Sequence, residues 1–554
     1  MQKNNWPGYV FAACGIVYIV GLFIPLMEID AAQYASISRE MLENKSYLQV
    51  FDLGRDYLDK PPMLFWLSAF SMKLFGVHGW SYRLPSVLFS ILSVYSTYRF
   101  ALLYYKKEVA VLSAAALASC QAIFLINHDV RTDTMLMGWV IFSIWQLGAW
   151  YRSGGWLHFL CAFAGIAGGM MTKGPIALMV PVFALVPHFI LKRDWKQLFR
   201  WEYIPGLLLI GILLVPMSIG LYRQYDLHPG KIIHGVPIRS GLRFFYWTQS
   251  FGRITGESEW KENNSFFFLM QNMLWSFLPW ILFFLAALFF QLKKLVTQRF
   301  RLHAGQEWIA TGGFIVTYCA LGSSQAQLPH YIFIVFPLAA VVTGDFLYGL
   351  LYTNEFETWK KPFWIVHAVV FSLLWAALIL LLWAMFNGFS WWLPPAGLLI
   401  TAGLVWMMRR RNAMPPTLFA CFFTVIGINF FLDAAFYPRL LQYQLGNTAA
   451  DYIVQSGLPP KGVYIYGLGD NRTLDFYAGH IFRHKQKQEL GGTDILVTPS
   501  DSIAPLKTRW PRLQVLHTGN DYHVTTLSLP FLNPATRDRE LKQYAIVSLG
   551  SGEQ

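Results

Sequence analysis

Long apolar runs separated by short charged loops dominate this chain. About thirteen of these runs have the length, roughly 17 to 25 residues, that a transmembrane helix requires. The pattern therefore predicts an all-α polytopic membrane domain over residues 1–436. The approximate limits of the predicted spans are 9–27, 81–103, 108–127, 133–152, 156–172, 175–191, 203–222, 266–292, 306–322, 330–352, 362–386, 391–408 and 416–436.

The composition agrees with a membrane protein. The 554 residues are 55% hydrophobic and 17% aromatic, and only 14% are charged, whereas a soluble domain carries about 25% charged residues. The mean hydropathy is +0.39.

Lysine and arginine residues concentrate in alternate short loops, and such loops face the cytoplasm in membrane proteins. The pattern predicts a cytoplasmic N-terminus, an external C-terminus and external loops at 28–80 and 223–265. The net charge of +13 is explained by this topology, so we expect no nucleic-acid partner. The basic loops contain Lys106, Lys107, Arg152, Lys192, Arg193, Lys196, Arg200, Lys293, Lys294, Arg299, Arg301, Lys360, Lys361, Arg409, Arg410 and Arg411.

Two regions outside the predicted spans have patterns of their own. In the first external loop, residues 30–43 predict a short amphipathic helix, and the apolar stretch 61–76 predicts a helix in the plane of the interface. Beyond residue 436, strand-like segments alternate with a helical pattern at 471–479, which predicts a small external α/β domain over residues 437–554. The strand-like segments are 462–467, 494–498, 513–516 and 544–549.

Ionisable side chains collect in the loops that the topology places outside. Charged groups close to the hydrocarbon are costly, and they mark functional sites by default. Cations can hold a phosphate at the headgroup level, and a carboxylate can orient an attacking group or accept its proton. The residues concerned are Asp30, Asp59, Lys60, Arg83, Asp129, Arg131, Asp133, Lys173, Arg239, Arg243, Arg253, His330 and Tyr331, together with the polar Gln249.

Several common catalytic motifs are absent from the sequence. It has no glycine-rich phosphate loop, no dinucleotide-binding fingerprint and no Asp-x-Asp pair, and it has neither His-Glu-x-x-His nor Gly-x-Ser-x-Gly. The chain therefore gives little support for chemistry on ATP or nucleotide sugars, for zinc proteolysis or for serine hydrolysis.

Six short motifs follow one another in the order found in a known family. The chain resembles the membrane glycosyltransferases of the GT-C fold that use polyprenyl-phosphate sugars, such as the protein O-mannosyltransferases and the lipid A aminoarabinose transferases. The resemblance covers roughly residues 1–340. The matching motifs are Asp30-x-x-Gln33-Tyr34-Ala35, Asp59-Lys60-Pro61-Pro62, Arg83-Leu84-Pro85-Ser86, Arg131-x-Asp133, Thr172-Lys173-Gly174-Pro175 and Gln327-Leu328-Pro329-His330-Tyr331.

The resemblance implies one inverting displacement, in which a sugar leaves a polyprenyl phosphate for an acceptor. Asp30 and Asp133 are the implied catalytic carboxylates. Asp59 matches a position that holds a metal ligand in some relatives, so a divalent metal ion is a candidate cofactor. The implied phosphate-binding residues are Lys60, Arg253, Tyr331, Lys173 and Arg83.

The sequence departs from the family pattern at several positions. Ala31 and Gln33 replace a Glu and an Arg, and Gln327 replaces a Lys. The sugar, the metal and the acceptor, which is either a lipid A-like glycolipid or a protein Ser or Thr, therefore stay open. We expect the site and the C-terminal domain to lie on the periplasmic side of a bacterial inner membrane.

Each of these residues also has a structural interpretation. Asp30 and Asp133 could cap helices, and Lys60 could extend to the interface. Tyr331 could belong to an interfacial aromatic belt, and Arg83 could pair with a loop carboxylate. At the level of the whole protein, the competing functions are a transporter or flippase of lipid-linked sugars and a non-enzymatic assembly factor. A transporter would favour a path of charges through the spans and inverted repeats. Here the suspicious charges lie in loops on one side and no repeat is visible, and we interpret Asp345 and Asp433, which lie inside spans, as interhelical contacts.

Overall fold

The computed structural model describes residues 5–550, apart from 234, 250–251, 253–263, 354, 387–394 and 396–413. Most of the described residues are helical. Three expectations lie outside the described residues: Arg253, nearly all of the predicted span 391–408, and the basic loop of Arg409, Arg410 and Arg411.

The first 221 residues consist mainly of helices. The first external loop contains a helix where an amphipathic one is predicted, a β-hairpin of β1 (Phe51–Asp52) and β2 (Arg55–Asp56), and a second, apolar helix. The helices are α1 (Trp6–Leu22), α2 (Asp30–Asn44), α3 (Met63–Phe75), α4 (Gly79–Tyr104), α5 (Lys107–Ala118), α6 (Gln121–His128), α7 (Thr132–Ser153), α8 (Trp156–Lys173), α9 (Ile176–Lys192) and α10 (Tyr203–Leu221).

The second external loop contains another hairpin, formed by β3 (Lys231–Ile233) and β4 (Val236–Ile238). The helices that follow complete the membrane part of the chain, and a 3₁₀ segment, Pro329–Val335, leads into one of them. These helices are Phe268–Ser276, Ile281–Thr297, Ile309–Gly322, Phe336–Tyr352, Glu357–Ile379 and Pro416–Phe431.

Five helical segments among the described residues are long and apolar enough to cross a membrane. A sixth is added if α5 and α6, which meet at 48°, count as one span. The expectation of a polytopic helical protein is thereby confirmed, whereas the number of spans stays a prediction. The five segments are Gly79–Tyr104, Tyr203–Asp226, Pro329–Tyr352, Glu357–Met385 and Pro416–Tyr443.

Two of the predicted continuous spans, 108–127 and 266–292, are interrupted. Pro279 lacks a backbone N–H and disfavours the helical conformation before it, so the second of these spans divides into two helices. The carbonyl of Leu278 accepts a hydrogen bond from the backbone N–H of Gln121, at 3.0 Å, where α5 gives way to α6. This hydrogen bond joins the two interruptions to each other. A pattern of hydrophobicity cannot predict it, because the two residues are far apart in the sequence.

The C-terminal part contains the predicted α/β arrangement. Its mixed sheet has the order β6-β5-β7-β9-β8, in which β5 runs parallel to β6 and β7, and β9 runs antiparallel to β7 and β8. The strands β5, β7, β8 and β9 match the predicted segments, while the two-residue β6 was not predicted. The strands are β5 (Val463–Ile465), β6 (Arg483–His484), β7 (Ile495–Pro499), β8 (Gln514–Asp521) and β9 (Lys542–Ser548), and the helices are Leu445–Gln455, Arg472–Ala478 and Ile503–Arg509.

Asp475 provides a test of the packing in this part of the chain. Its carboxylate is buried and accepts a hydrogen bond from the backbone N–H of Phe482 at 2.9 Å. Burial raises the pKa of Asp475 to about 7. A carboxyl whose pKa is higher in the folded state contributes stability at acidic pH that is lost as the pH rises toward 7.

We expect the substitution Asp475→Asn to abolish this loss of stability with rising pH. The amide oxygen can still accept the Phe482 bond, and no buried charge forms. The free energy of unfolding of the variant, relative to that of the wild type, should therefore increase by about 2 to 3 kcal/mol as the pH rises from 5 to 8. Thermal unfolding in detergent at both pH values measures this gain, and an equal effect of the substitution at the two pH values would contradict it.

Candidate active site

A helical hairpin brings Asp133 and Lys173 together although they lie 40 positions apart in the sequence. Asp133 is in the first turn of α7 and Lys173 is the last residue of α8. The helices are joined by a tight turn in which Gly154 has a φ of +69°, a conformation that glycine adopts without steric cost. Because the two helices run antiparallel and are similar in length, the start of α7 lies beside the end of α8.

The Asp133 carboxylate is the centre of a buried polar cluster. Its side chain is only 2% exposed, and Oδ1 accepts a hydrogen bond from Lys173 Nζ at 2.6 Å. The Nε2 atom of His330 lies 3.5 Å from Oδ2. Lys173 Nζ is also 3.9 Å from the centroid of the Tyr331 ring, a cation–π contact. The free-energy cost of burying the charges of Asp133 and Lys173 is reduced because the two form an ion pair.

A cavity of about 990 Å³, counting its open mouth, lies beside this cluster. One part of its wall is polar and contains two lysines, two carboxylates and a tyrosine. The remainder is almost entirely apolar and comes mainly from α7, α9 and the helix Ile309–Gly322. The polar lining is Asp59, Lys60, Asp133, Lys173, Gln249, Ser324 and Tyr331, and the apolar lining is Pro61, Leu136, Pro175, Ile176, Met179, Phe183, Ala320, Leu321 and Ile334.

Lys60 is the cation of this lining that has no ion-pair partner among the described residues. It lies just before α3, next to the pair of prolines that opens that helix. Within the part of the chain that the structure describes, its ammonium forms neither a hydrogen bond nor an ion pair. An ammonium at the polar end of the cavity is therefore available to an anionic ligand.

Asp30 lies beside the cavity rather than in its lining. Its carboxylate forms an ion pair with Arg131, and Arg131 also pairs with Asp129 at 2.9 Å. Arg131 is two residues before Asp133, so its charge links Asp30 to the buried cluster. The carboxylate of Asp30 is turned to Arg131 rather than to the backbone of α2, which has no side-chain cap.

Arg83 binds backbone carbonyls in the structure and does not occupy the phosphate-binding position that the resemblance implies. Its side chain is buried, and its guanidinium donates hydrogen bonds to four backbone carbonyls. The acceptors are Leu22 at 3.1 Å, Pro25 at 3.0 Å, His128 at 2.8 Å, and Ile24. Because these carbonyls occupy the guanidinium, Arg83 joins the end of α1 to the end of α6 and does not line the cavity.

Asp59 lines the cavity at its polar end, and its backbone carbonyl accepts a hydrogen bond from the side chain of Gln249. Among the described residues, no three His, Cys, Asp or Glu side chains lie close enough together to hold a metal ion. The described part of the chain thus offers Asp59 no complete ligand set, and we assign no chemical step to a metal.

Some features of the site do not follow from the sequence motifs. His330 is part of a sequence motif, but the motif does not reveal that its imidazole faces Asp133. Gln249 is a candidate from the long loop 223–265, but only the fold shows that it donates to the carbonyl of Asp59. The apolar lining from α9 and the helix Ile309–Gly322 carries no motif, so no signal in the sequence could have identified it.

Comparisons with known proteins identify both related sequences and a similar fold. Residues 59–219 match a family described as dolichyl-phosphate-mannose-protein mannosyltransferase. An undecaprenyl phosphate-α-4-amino-4-deoxy-L-arabinose arabinosyl transferase of Erwinia tasmaniensis is 28% identical over 48% of this chain and 46% of its own length. The corresponding protein of an Enterobacter species is 25% identical over 67% of this chain and 63% of its own. The matches thus span between about half and two thirds of these relatives.

The whole chain also matches a solved structure. The crystal structure of ArnT from Cupriavidus metallidurans bound to undecaprenyl phosphate superposes with a TM-score of 0.74 and 19% identity, over 100% of both chains. At this level of identity the similarity shows the fold. The chain therefore has the GT-C fold, and it is related in sequence to membrane glycosyltransferases that use polyprenyl-phosphate sugars.

Proposed function

We propose that this protein is an integral-membrane inverting glycosyltransferase that moves a sugar from a polyprenyl phosphate to an envelope acceptor. The observation that carries the proposal is the cavity, in which Lys60, without an ion pair among the described residues, shares the lining with an apolar wall. A polyprenyl phosphate has the same division, with an anionic head and a hydrocarbon chain.

The leaving group determines what the site must supply. In the transfer, an acceptor oxygen forms a bond to the anomeric carbon of the sugar while the bond from that carbon to the phosphate oxygen breaks. The phosphate keeps the electron pair of the broken bond and needs no proton. The negative charge that develops on it requires nearby cations or hydrogen-bond donors, and these act strongly where water is excluded.

Three groups of the cavity can meet this requirement. Lys60 provides an ammonium that has no ion-pair partner among the described residues, and Tyr331 adds a hydroxyl donor to the lining. Lys173 adds positive charge at the same end, although its ammonium is shared with Asp133. Arg253, which the family resemblance also assigns to the phosphate, belongs to the proposal on that resemblance alone.

The acceptor side is assigned to Asp30. If the acceptor is a hydroxyl, its proton passes to the Asp30 carboxylate as the new bond forms. If the acceptor is a phosphate, it is already ionised, and Asp30 positions it. Asp133 holds Lys173 and His330 in place beside the reacting atoms.

The same proposal covers topology and cellular location. The membrane domain spans residues 1–436 with about thirteen transmembrane helices, since runs of this length fit a bilayer. The loops 28–80 and 223–265 and the C-terminal domain 437–554 face the periplasm of a bacterial inner membrane. The distribution of Lys and Arg among the short loops supports this orientation.

The proposal is tested with purified protein in detergent and an envelope extract as the source of polyprenyl-phosphate sugars. We expect the wild type to release free polyprenyl phosphate and to add a hexose- or pentose-sized mass to an acceptor, both detected by mass spectrometry. That mass would also identify the class of sugar. Intact donor that changes leaflet in proteoliposomes would overturn the proposal and favour a flippase.

The choice of inactive variant matters for this test. Loss of either Asp133 or Lys173 leaves a buried charge without its partner, which typically costs about 3–5 kcal/mol and could unfold the protein. Lys60 has no such partner among the described residues, so its substitution separates chemistry from folding.

A further inference from the structure

The linker between α1 and α2, residues 23–29, directly precedes Asp30 and is held by side chains from distant parts of the chain. Arg83 binds carbonyls of its first half, as described above. The C-terminal domain binds its second half: the backbone N–H of Leu26 donates to the hydroxyl of Tyr477 at 2.8 Å. The path of the linker is thus fixed by contacts outside α1 and α2.

The side chain of Gln444 makes the most direct of these contacts. Its Nε2 donates to the carbonyl of Leu26 at 3.0 Å, and its Oε1 accepts from the backbone N–H of Glu28, also at 3.0 Å. One primary amide therefore pairs with two backbone groups of the linker, much as a neighbouring strand would. Gln444 is only 3% exposed, so water does not compete for these bonds.

Glu28 is bound a second time through its side chain. Its Oε1 accepts hydrogen bonds from the backbone N–H and the hydroxyl of Thr473, at 2.7 and 2.8 Å. Farther along, Arg472 pairs with Asp52 at 2.8 Å, and the same Asp52 oxygen accepts from Gln33 in the first turn of α2 at 2.7 Å. The C-terminal domain therefore binds the linker directly and the start of α2 through Asp52.

These contacts act on Asp30 because the linker provides the first acceptors of α2. The carbonyls of Met27 and Ile29 accept from the backbone N–H groups of Ala32 and Gln33, at 3.3 and 2.9 Å. A shift of the linker would therefore move the first turn of α2 and the carboxylate that it carries. Misplacement of a reacting group by about 1 Å can cost 10²-fold in rate.

We propose that Gln444 is a positioning residue for Asp30, and that the C-terminal domain is thereby part of the catalytic apparatus. This inference rests on the proposed function, since it concerns the role of Asp30 in transfer. Gln444 is not in the cavity lining, and it acts through the linker, which it contacts directly and through Thr473.

The substitution Gln444→Met keeps the length of the side chain and removes its two hydrogen bonds to the linker, together with a longer one to the hydroxyl of Thr473 at 3.3 Å. We expect kcat to fall by about 10- to 100-fold, while the KM for the donor and the affinity for undecaprenyl phosphate stay unchanged. Binding of one undecaprenyl phosphate per protein shows that the variant is folded. The control is Arg55→Ala, which removes an exposed ion pair with Asp470 across the same interface, at 2.6 Å, but does not touch the linker.

A double-mutant cycle separates positioning from a general structural effect. If Gln444 acts through Asp30, Gln444→Met should have little further effect on the residual activity of Asp30→Asn. Equal fold losses in both backgrounds would overturn the proposal, as would wild-type kcat in Gln444→Met. If Gln444→Met does not fold, Thr473→Val, which removes a single donor to Glu28, takes its place with a smaller expected loss.

A readout without activity distinguishes this inference from the proposed function. Hydrogen–deuterium exchange in peptides covering residues 26–33 should be faster in Gln444→Met and unchanged in Arg55→Ala. Unchanged exchange in Gln444→Met would overturn the positioning role whatever the enzyme does. Faster exchange together with a wild type that releases no polyprenyl phosphate would overturn the proposed function instead, and with it the role of Asp30.

Discussion

Replacement of Lys60 by alanine is expected to lower kcat/KM for sugar transfer by about 10²- to 10³-fold, as for the loss of one donor from an oxyanion site. Lys60 is the ammonium in the cavity lining that no described carboxylate neutralises. It can therefore meet the negative charge of the lipid phosphate, which grows as the bond to the sugar breaks. The release of polyprenyl phosphate per unit time, followed by mass spectrometry, measures the effect.

The matched control for this prediction is Lys73→Ala. Lys73 lies in the last turn of α3, the helix that Lys60 precedes, and its side chain is exposed. The control should keep the wild-type rate, and both variants should keep the wild-type unfolding temperature because neither lysine is in a described buried ion pair. Full activity of Lys60→Ala would show that the phosphate is held elsewhere and would remove Lys60 from the site.

The substitution Asp30→Asn should lower kcat by about 10²- to 10⁴-fold, the range that general acid–base catalysis contributes. The amide preserves the shape of the side chain but cannot accept a proton from an acceptor hydroxyl. Since Asp30 is outside the cavity lining, the affinity for undecaprenyl phosphate should change little. Steady-state kinetics combined with binding of undecaprenyl phosphate measure the two quantities separately.

Two observations check the role of Asp30. Asp501→Asn, a substitution of an exposed carboxylate in the C-terminal domain, should leave kcat unchanged. An Asp30→Asn variant with the wild-type kcat would contradict a role as base and leave Asp30 as a partner of Arg131. If instead both binding and kcat fall together, the ion pair of Asp30 with Arg131 supports the cavity itself.

Much of the architecture could be predicted because it depends on local patterns. Apolar runs of helical length identified the membrane part, and alternating segments identified β5, β7, β8 and β9. The helix that begins at Asp30 was predicted from its amphipathic pattern and is present as α2. The breaks between α5 and α6 and at Pro279 were missed, since the two interrupted segments satisfy each other's backbone groups across the fold.

The candidate site was predicted only in part. The sequence motifs named Lys60, Asp133, Lys173 and Tyr331, and the structure places these residues around one cavity. It assigns Arg83 to backbone carbonyls instead, because a buried guanidinium must satisfy its donors and the carbonyls at the ends of α1 and α6 lie next to it. No motif distinguished a cation that lines the cavity from one that binds backbone carbonyls.

The sequence by itself thus determined the class of protein, its helical segments and the residue types available for chemistry, because hydrophobic periodicity and motif order are properties of neighbouring residues. The tertiary structure alone decided which charges neutralise one another, as Asp133 and Lys173 do, and which have no ion-pair partner in the described part of the chain, as is the case for Lys60. It also decided that Gln444, more than 400 residues away, holds the linker before Asp30. Such pairings depend on how helices and domains pack, and packing brings together residues whose separation along the chain carries no local signal.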